Sequence, residues 1–194
     1  MISLPGATIN FFPDFLSKTQ ADSLLDVFYN QTKWQQDTIK VFVKTHPQPR
    51  LTALYGNNGL PYSYSNITMH PHPMTFEIET LMQQIKSVCS SEFTSVLMNL
   101  YRNGSDSNGW HSDDEKELGI NPVIASLSLG ETRMFHLRHK FDKSQRHKME
   151  LTHGSLLIMS DETQHQWQHQ IPKTKKEVRP RINLTFRKVL EVKK

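Results

Sequence analysis

At 194 residues, 22% charged and 36% hydrophobic, the chain suits one globular domain with a single sizeable core. Its formal charge of +4, from 23 basic and 19 acidic residues with 10 histidines uncounted, is compatible with a polyanionic partner but does not establish one. The single cysteine, Cys89, excludes an intramolecular disulfide, no apolar run approaches a membrane span, and residues 1–5 lack a secretory signal; the expectation is a soluble protein of the cell interior.

Taken in order, residues 9–15 read as a short extended segment closed by Pro13. Ser17 then caps a helix whose Ala21, Leu24, Leu25 and Phe28 recur at helical spacing, ending near Gln31. Residues 34–64 mix loop and strand, with a turn at 56–59. Phe42, Tyr55, Tyr62 and Tyr64 stand here in a polar, proline-punctuated context, where aromatics either anchor loops to the core or offer stacking faces to bases. Residues 73–89 resume a helical period. From Phe93 the period changes, and short strands follow at 93–101, 123–129, 134–137, 149–151, 155–159, 165–169 and 181–189. Helices first and strands after describe an α+β domain with a β-sandwich or barrel at its centre. Neither a repeat nor a linker divides the chain. Two basic stretches, 138–148 and 173–176, read most simply as solvated loops, and together as the beginnings of a phosphate-binding face.

The last strand carries the most unusual pattern. Arg181, Asn183, Thr185 and Arg187 fall on one side, with Ile182, Leu184 and Phe186 on the other. Alone, this is an edge strand with solvated arginines. Alternatively, two guanidiniums in a row could grip both ends of a dicarboxylate. Upstream, His111 and Asp113 are spaced to point the same way along an extended chain and could address one metal ion. A distant histidine would complete the two-histidine, one-carboxylate face of non-haem Fe(II) oxygenases. By itself a His-x-Asp pair is weak evidence in a chain with 10 histidines. His153, His165 and His169 are the candidates for the third position. Strand alternation does not separate 165 from 169, and nearness to the arginine strand, as if one hairpin away, leans to His169. A hydrolytic zinc site is a further option, but it leaves the arginines without a purpose.

The segments Asn99-Leu-Tyr101, Trp110-His-Ser-Asp-Asp-Glu115, His153-Gly-Ser, Trp167-Gln-His169 and Pro180-Arg-Ile-Asn-Leu-Thr-Phe-Arg187 resemble the AlkB family of Fe(II)- and 2-oxoglutarate-dependent nucleic-acid demethylases. Within that family the resemblance is strongest to the second and third animal homologues, which act on alkylated DNA. It runs from about Val41 to the C-terminus. It implies a double-stranded β-helix (jelly-roll) core with N-terminal helices laid against it, a single domain over 1–194. Residues 1–92 would hold the helices and a nucleotide-recognition lid, and 93–194 the catalytic core.

The same resemblance makes His111, Asp113 and His169 the iron ligands. It sets Arg181 against the distal carboxylate of 2-oxoglutarate and Arg187 near its other end, with Asn99, Tyr101 and Asn183 supplying hydrogen bonds. Tyr64 would sandwich a flipped base against His111, Tyr62, Arg50 and Glu115 would contact substrate, and Phe42 would fill the gap in the duplex. The implied reaction is oxidative demethylation of 1-methyladenine- or 3-methylcytosine-type bases in DNA or RNA, with dioxygen consumed and succinate, CO2 and formaldehyde released. The expected form is a monomer, cytoplasmic in a bacterium and nuclear in a eukaryote; the absence of a long basic N-terminal tail favours the former. Rival readings are an oxygenase acting on RNA, protein or a lipid-like molecule, and a non-catalytic nucleic-acid binding module that kept the fold.

Overall fold

The computed structural model describes residues 2–41, 44–64 and 67–191. In chain order the elements are β1 (Ile2–Leu4), β2 (Ala7–Phe12), α1 (Lys18–Gln31), β3 (Thr38–Val41), β4 (Lys44–Pro47), β5 (Leu51–Gly56), β6 (Tyr62–Tyr64), β7 (Ile67–Met69) and α2 (Phe76–Lys86). After them come β8 (Ser95–Tyr101), β9 (Asn108–His111), β10 (Ile124–Gly130), β11 (Arg133–His139), β12 (Arg146–Leu151), β13 (Leu156–Ser160), α3 (Thr163–Gln166), β14 (Trp167–Ile171) and β15 (Arg181–Arg187). Ser17 caps α1 as its sequence position predicts, its hydroxyl accepting from the Gln20 amide, and Thr75 does the same for α2 at Ile78.

A seven-stranded sheet in the order β1-β2-β13-β10-β15-β8-β5 faces a four-stranded sheet in the order β12-β11-β14-β9, and every pairing within them is antiparallel. This is the jelly roll expected. One apolar layer, including Ile9, Leu97, Ile124, Phe135, Leu137, Leu157 and Trp167, fills the space between the sheets. The second lies outside the large sheet, where Ala21 and Phe28 of α1 and Ile78, Leu81 and Ile85 of α2 pack on Met98, Leu127, Ile182, Leu184 and Phe186. The large sheet is therefore covered on both faces. β1, β2 and β5 join it from the first 92 residues, so the sheet is built from both halves of the chain.

The arginine strand is not an edge. β15 lies between β10 and β8, and all seven of its residues are buried. Its apolar side faces the helices, which leaves Arg181, Asn183, Thr185 and Arg187 pointing into the sandwich. Alternation predicted the two faces correctly; neighbours on both edges decided that neither would be solvated.

Two other expectations change. The basic stretch 138–148 is not one loop, because its ends are strands β11 and β12 with Arg138 opposite Arg146, and only 140–145 forms the connection. Nor does a strand begin at 165. His165 sits in the short helix α3 and is exposed, while β14 starts at Trp167, so alternation never applied to the pair 165 and 169.

Gly130 closes β10 at φ +88°, opposite Arg181, and a Cβ there would stand 2.4 Å from the Pro180 carbonyl oxygen. Gly130→Ala is therefore expected to cost at least about 1–2 kcal/mol for the left-handed backbone alone, seen as a lowered denaturation midpoint. An unchanged midpoint would show that this end of the sheet tolerates displacement.

Candidate metal centre and its anion pocket

His111 ends β9 and His169 lies directly opposite it on β14, with ring centroids 4.2 Å apart. Between this pair and the next, two residues of β14 (169 to 171) span three of β9 (108 to 111), so β9 carries an extra residue just before His111. A bulge of this kind re-aims side chains at a sheet edge. Beyond it, the Ser112 hydroxyl donates to the Trp167 carbonyl at 3.0 Å and the Asp113 amide donates to Gln164 Oε1 at 2.9 Å. These two bonds pin the chain so that Asp113 turns inward beside both histidines. Ligand atoms of His111, Asp113 and His169 lie within 4.8 Å of one another. His111 Nδ1 donates to the Gly109 carbonyl at 2.7 Å, which fixes the tautomer and leaves Nε2 as the ligand atom.

The structure brings His169 to His111 and Asp113, though not by way of a hairpin: β14 and β15 belong to opposite sheets. His153 is committed elsewhere, accepting from the Gly130 amide and contacting Asp22 of α1.

Charge in this centre is set by burial and by Arg187. Burial works against the Asp113 carboxylate, yet the Arg187 guanidinium beside it holds it down at about 2. Arg187 Nη2 donates to Asp113 Oδ1 at 2.9 Å, and both side chains are buried. Burial, reinforced by His111, pushes His169 down to about 3, and burial lowers His111 too against the pull of Asp113. The structure thus holds one anionic carboxylate and two neutral imidazoles, the protonation a divalent cation needs.

Arg181 has a different environment. It is 1% exposed, its Nη2 donates to Ser128 Oγ at 2.9 Å, and its Nε and Nη1 have no hydrogen-bond partner among the described residues. No carboxylate lies within ion-pair distance of it among those residues. Burial pulls this guanidinium down to about 10 against the help of Tyr101, whose ring centroid is 5.3 Å from Arg181 Cζ. A buried, unpaired cation is costly unless an anion completes it. Arg187 differs in having Asp113 as an ion-pair partner, but its Nε and Nη1 likewise have no hydrogen-bond partner among the described residues, so both arginines keep donors to offer.

A cavity of about 190 Å³ joins the two places. Every residue named from sequence as a metal or diacid contact lines it: Asn99, Tyr101, His111, Asp113, His169, Arg181, Asn183 and Arg187. Asn99 faces Asn183, and Tyr101 faces Arg181, across the β8–β15 pairing. Asn183 spends its amide N–H groups on Ser126 Oγ and the Leu127 carbonyl, so toward the cavity it shapes more than it donates.

Of the substrate candidates, Arg50, Tyr62 and Glu115 also line the cavity. Arg50 Nε donates to Asn99 Oδ1 at 2.8 Å. Tyr62 is 1% exposed, lies under Arg187 and shares a hydrogen bond with Glu115. Burial, and then Asp113, raise the Glu115 carboxyl above its ordinary value. Tyr55 is a core residue instead, its ring against His72. Phe42 lies outside the described residues, and so does the side chain of Tyr64, whose backbone closes β6.

Sequence reasoning missed Ser128, Gln164 and Phe135, whose ring lies 5.3 Å from that of His169. For the serine a signal existed: Ser126 and Ser128 are two apart in an otherwise apolar strand, hence inward on the same side. Nothing local marked Gln164 or Phe135.

Residues 8–187 match the model of the 2OG-Fe(II) oxygenase superfamily, so the match begins well before Val41. The chain is 46% identical over 186 residues to alpha-ketoglutarate-dependent dioxygenase alkB homolog 3 of Bos taurus, covering 91% of this chain and 64% of that protein. It is 37% identical over 187 residues to DNA oxidative demethylase ALKBH2 of Homo sapiens, covering 91% and 72%. It thus spans just under two thirds of the length of the former. A solved structure of OsALKBH1 superposes with a TM-score of 0.71 at 17% identity, over 97% of this chain and 100% of that one, a likeness of fold.

The low histidine values predict how metal binding depends on pH. Two ordinary imidazoles, at about 6.5, would each cost about tenfold in affinity one unit below that value. With His169 near 3 and His111 also lowered, proton competition is weaker than for two ordinary imidazoles. Titration calorimetry with Mn(II) is expected to lose clearly less than a hundredfold between about pH 7.5 and 5.5. A loss on the order of a hundredfold would contradict the lowered values.

Proposed function

The chain belongs to the 2OG-Fe(II) oxygenase superfamily, and from this we propose that it is an oxidative demethylase of N-alkylated bases in nucleic acid, DNA first. The observation that carries the reading is the pairing of a three-residue candidate metal centre with a buried guanidinium that has no carboxylate partner among the described residues, in one cavity. The donor set fits ferrous iron, with two imidazoles and a carboxylate on one side and room on the other. The bare Nε and Nη1 of Arg181 fit one carboxylate of 2-oxoglutarate, a bidentate arrangement natural to arginine.

When bound, iron with 2-oxoglutarate supplies the oxidising power: dioxygen puts one oxygen into succinate, with loss of CO2, and the other into an N-methyl C–H bond.

The protein's own side chains do the rest. His111, Asp113 and His169 hold the ion from one side, and Arg187 keeps Asp113 ionised while neutralising it. Arg181 fixes the far end of the co-substrate, with Tyr101 beside it and Arg50 holding the Asn99 amide in place. Leu97, Ile124, Phe135 and Ile171 supply apolar wall that limits water in the cavity. Tyr62 and Glu115 form the wall next to Asp113, where a base would enter. A carboxylate there complements the positive charge that N-methylation places on adenine or cytosine. The hydroxymethyl group so formed leaves as formaldehyde and restores the base.

The basic hairpin β11–β12 and the lysines at 173, 175 and 176 support a polyanionic substrate. The relative named DNA oxidative demethylase supports the same choice. All of the site residues come from one chain, so a monomer suffices, and the substrate sets the compartment: cytoplasm in a bacterium, nucleus in a eukaryote. Among the described residues no helix is long and apolar enough to cross a membrane. A zinc hydrolase would leave Arg181 unexplained, and a binding module would have no need of the metal face.

A panel of oligonucleotides carrying 1-methyladenine or 3-methylcytosine, with methylated RNA and methylated peptides alongside, tests the proposal. Wild-type protein with Fe(II) and 2-oxoglutarate is expected to release formaldehyde from the DNA substrates. His111→Ala and Asp113→Ala are expected to lose turnover by at least about a thousandfold, as loss of a metal ligand implies. Turnover of peptides alone would contradict it.

A further inference from the structure

We propose that Phe141, at the tip of the β11–β12 hairpin, is a base-stacking residue that receives an unpaired nucleobase next to the one in the cavity. The inference rests on the nucleic-acid reading above. Phe141 is 79% exposed, one of the most exposed large apolar side chains among the described residues. Its loop is not loose. The amides of Phe141 and Asp142 both donate to His139 Nδ1, at 3.3 and 3.0 Å. Asp142 in turn accepts from the Ser144 amide and hydroxyl and from Gln145 Nε2. Lys143 Nζ donates to the carbonyls of His139 and Lys140, and Arg146 Nε to that of Lys143. His139 is itself held edge-on against Trp167, which is 1% exposed, with ring centroids 5.3 Å apart. The loop therefore spends most of its polar groups on its own shape, and sets the Phe141 ring edge-on to His139 with centroids 5.9 Å apart while leaving the rest of the ring in water.

The location gives the ring a partner. Lys140, adjacent to Phe141, donates to Asp114 Oδ2 at 2.7 Å, and its amide donates to the Gln166 carbonyl at 2.7 Å. Asp114 stands between the ligand Asp113 and the cavity-wall residue Glu115. The hairpin tip is thus fastened to the segment that carries the metal ligand, beside the cavity. Lys143, Arg146 and Lys148 are exposed around it. Cations flanking a displayed aromatic form the pattern that holds single strands, with charge following the phosphates and the ring taking a base face. A strand that has put one base into the cavity leaves its neighbours unstacked, and these need a new surface.

The test uses the full chain loaded with Mn(II) and 2-oxoglutarate, and a single-stranded oligonucleotide with one 1-methyladenine, at fixed salt. Phe141→Ala is expected to weaken binding about tenfold, and Phe141→Trp to restore it. The salt dependence should be unchanged, since no phosphate contact is lost. Placing an abasic site beside the methylated base should weaken the wild type by a similar factor and leave Phe141→Ala no weaker. Equal affinity of Phe141→Ala and wild type would overturn the inference, as would a loss that persists undiminished on the abasic strand. So would unchanged oligonucleotide binding combined with lost affinity for anionic phospholipid vesicles. If Phe141→Ala demethylates and binds like an active wild type, only the stacking role fails; if the wild type acts on no methylated oligonucleotide, the functional reading itself fails.

Discussion

A guanidinium sealed inside a β-sandwich, with two donors unmatched and no carboxylate beside it among the described residues, is the constraint on which this structure turns. Arg181 cannot be explained by folding alone. Burial of a full charge is tolerated when a partner neutralises it; Arg187 has Asp113, whereas no carboxylate among the described residues serves Arg181. The fold works to keep the charge where it is: β15 is central, Ser128 holds one nitrogen, Tyr101 lies alongside, and the tight approach of Gly130 to Pro180 closes the end of the strand. An anionic ligand returns the cost of this arrangement as binding energy.

The metal centre follows from the same sandwich seen from the opposite sheet. His111 and His169 are cross-strand neighbours on the four-stranded sheet, and Arg187 reaches them from the seven-stranded one through Asp113. Metal face and anion site therefore sit on facing layers, and the distance between them is set by how the two sheets pack. Since each sheet contributes one half, displacement of either would separate the His111, Asp113 and His169 cluster from Arg181. Helices α1 and α2 take no direct part; they bury the outer side of the large sheet and so fix β15 from behind.

Periodicity made much of this legible. The alternation in β15 assigned inward and outward residues correctly and Ser17 marked the start of α1, while His111 and Asp113 do meet, but by way of the Ser112 and Gln164 hydrogen bonds beyond the end of β9. What alternation lacks is any knowledge of neighbours. It could not tell a central strand from an edge, so on that segment alone solvated arginines were the simpler reading, whereas β8 and β10 flank them. It also failed at His165, because a single helical turn interrupts the extended chain two residues before the ligand strand begins. Gln164 and Phe135 reach Asp113 and His169 through tertiary packing, which leaves no trace in local spacing. The basic hairpin was misread as loop because lysines and arginines on the solvent side of a strand look the same as those in a coil.

The most direct measurement is 2-oxoglutarate binding and thermal stability compared between wild type and Arg181→Met, both loaded with Mn(II). Methionine keeps the length and removes the charge. If Arg181 is a cation held for the diacid, the variant should melt no lower than the wild type in the absence of 2-oxoglutarate, and should bind it at least about tenfold more weakly, the loss of one charge-assisted pair. Unchanged affinity, or a protein that unfolds without ligand when the charge is removed, would contradict the account.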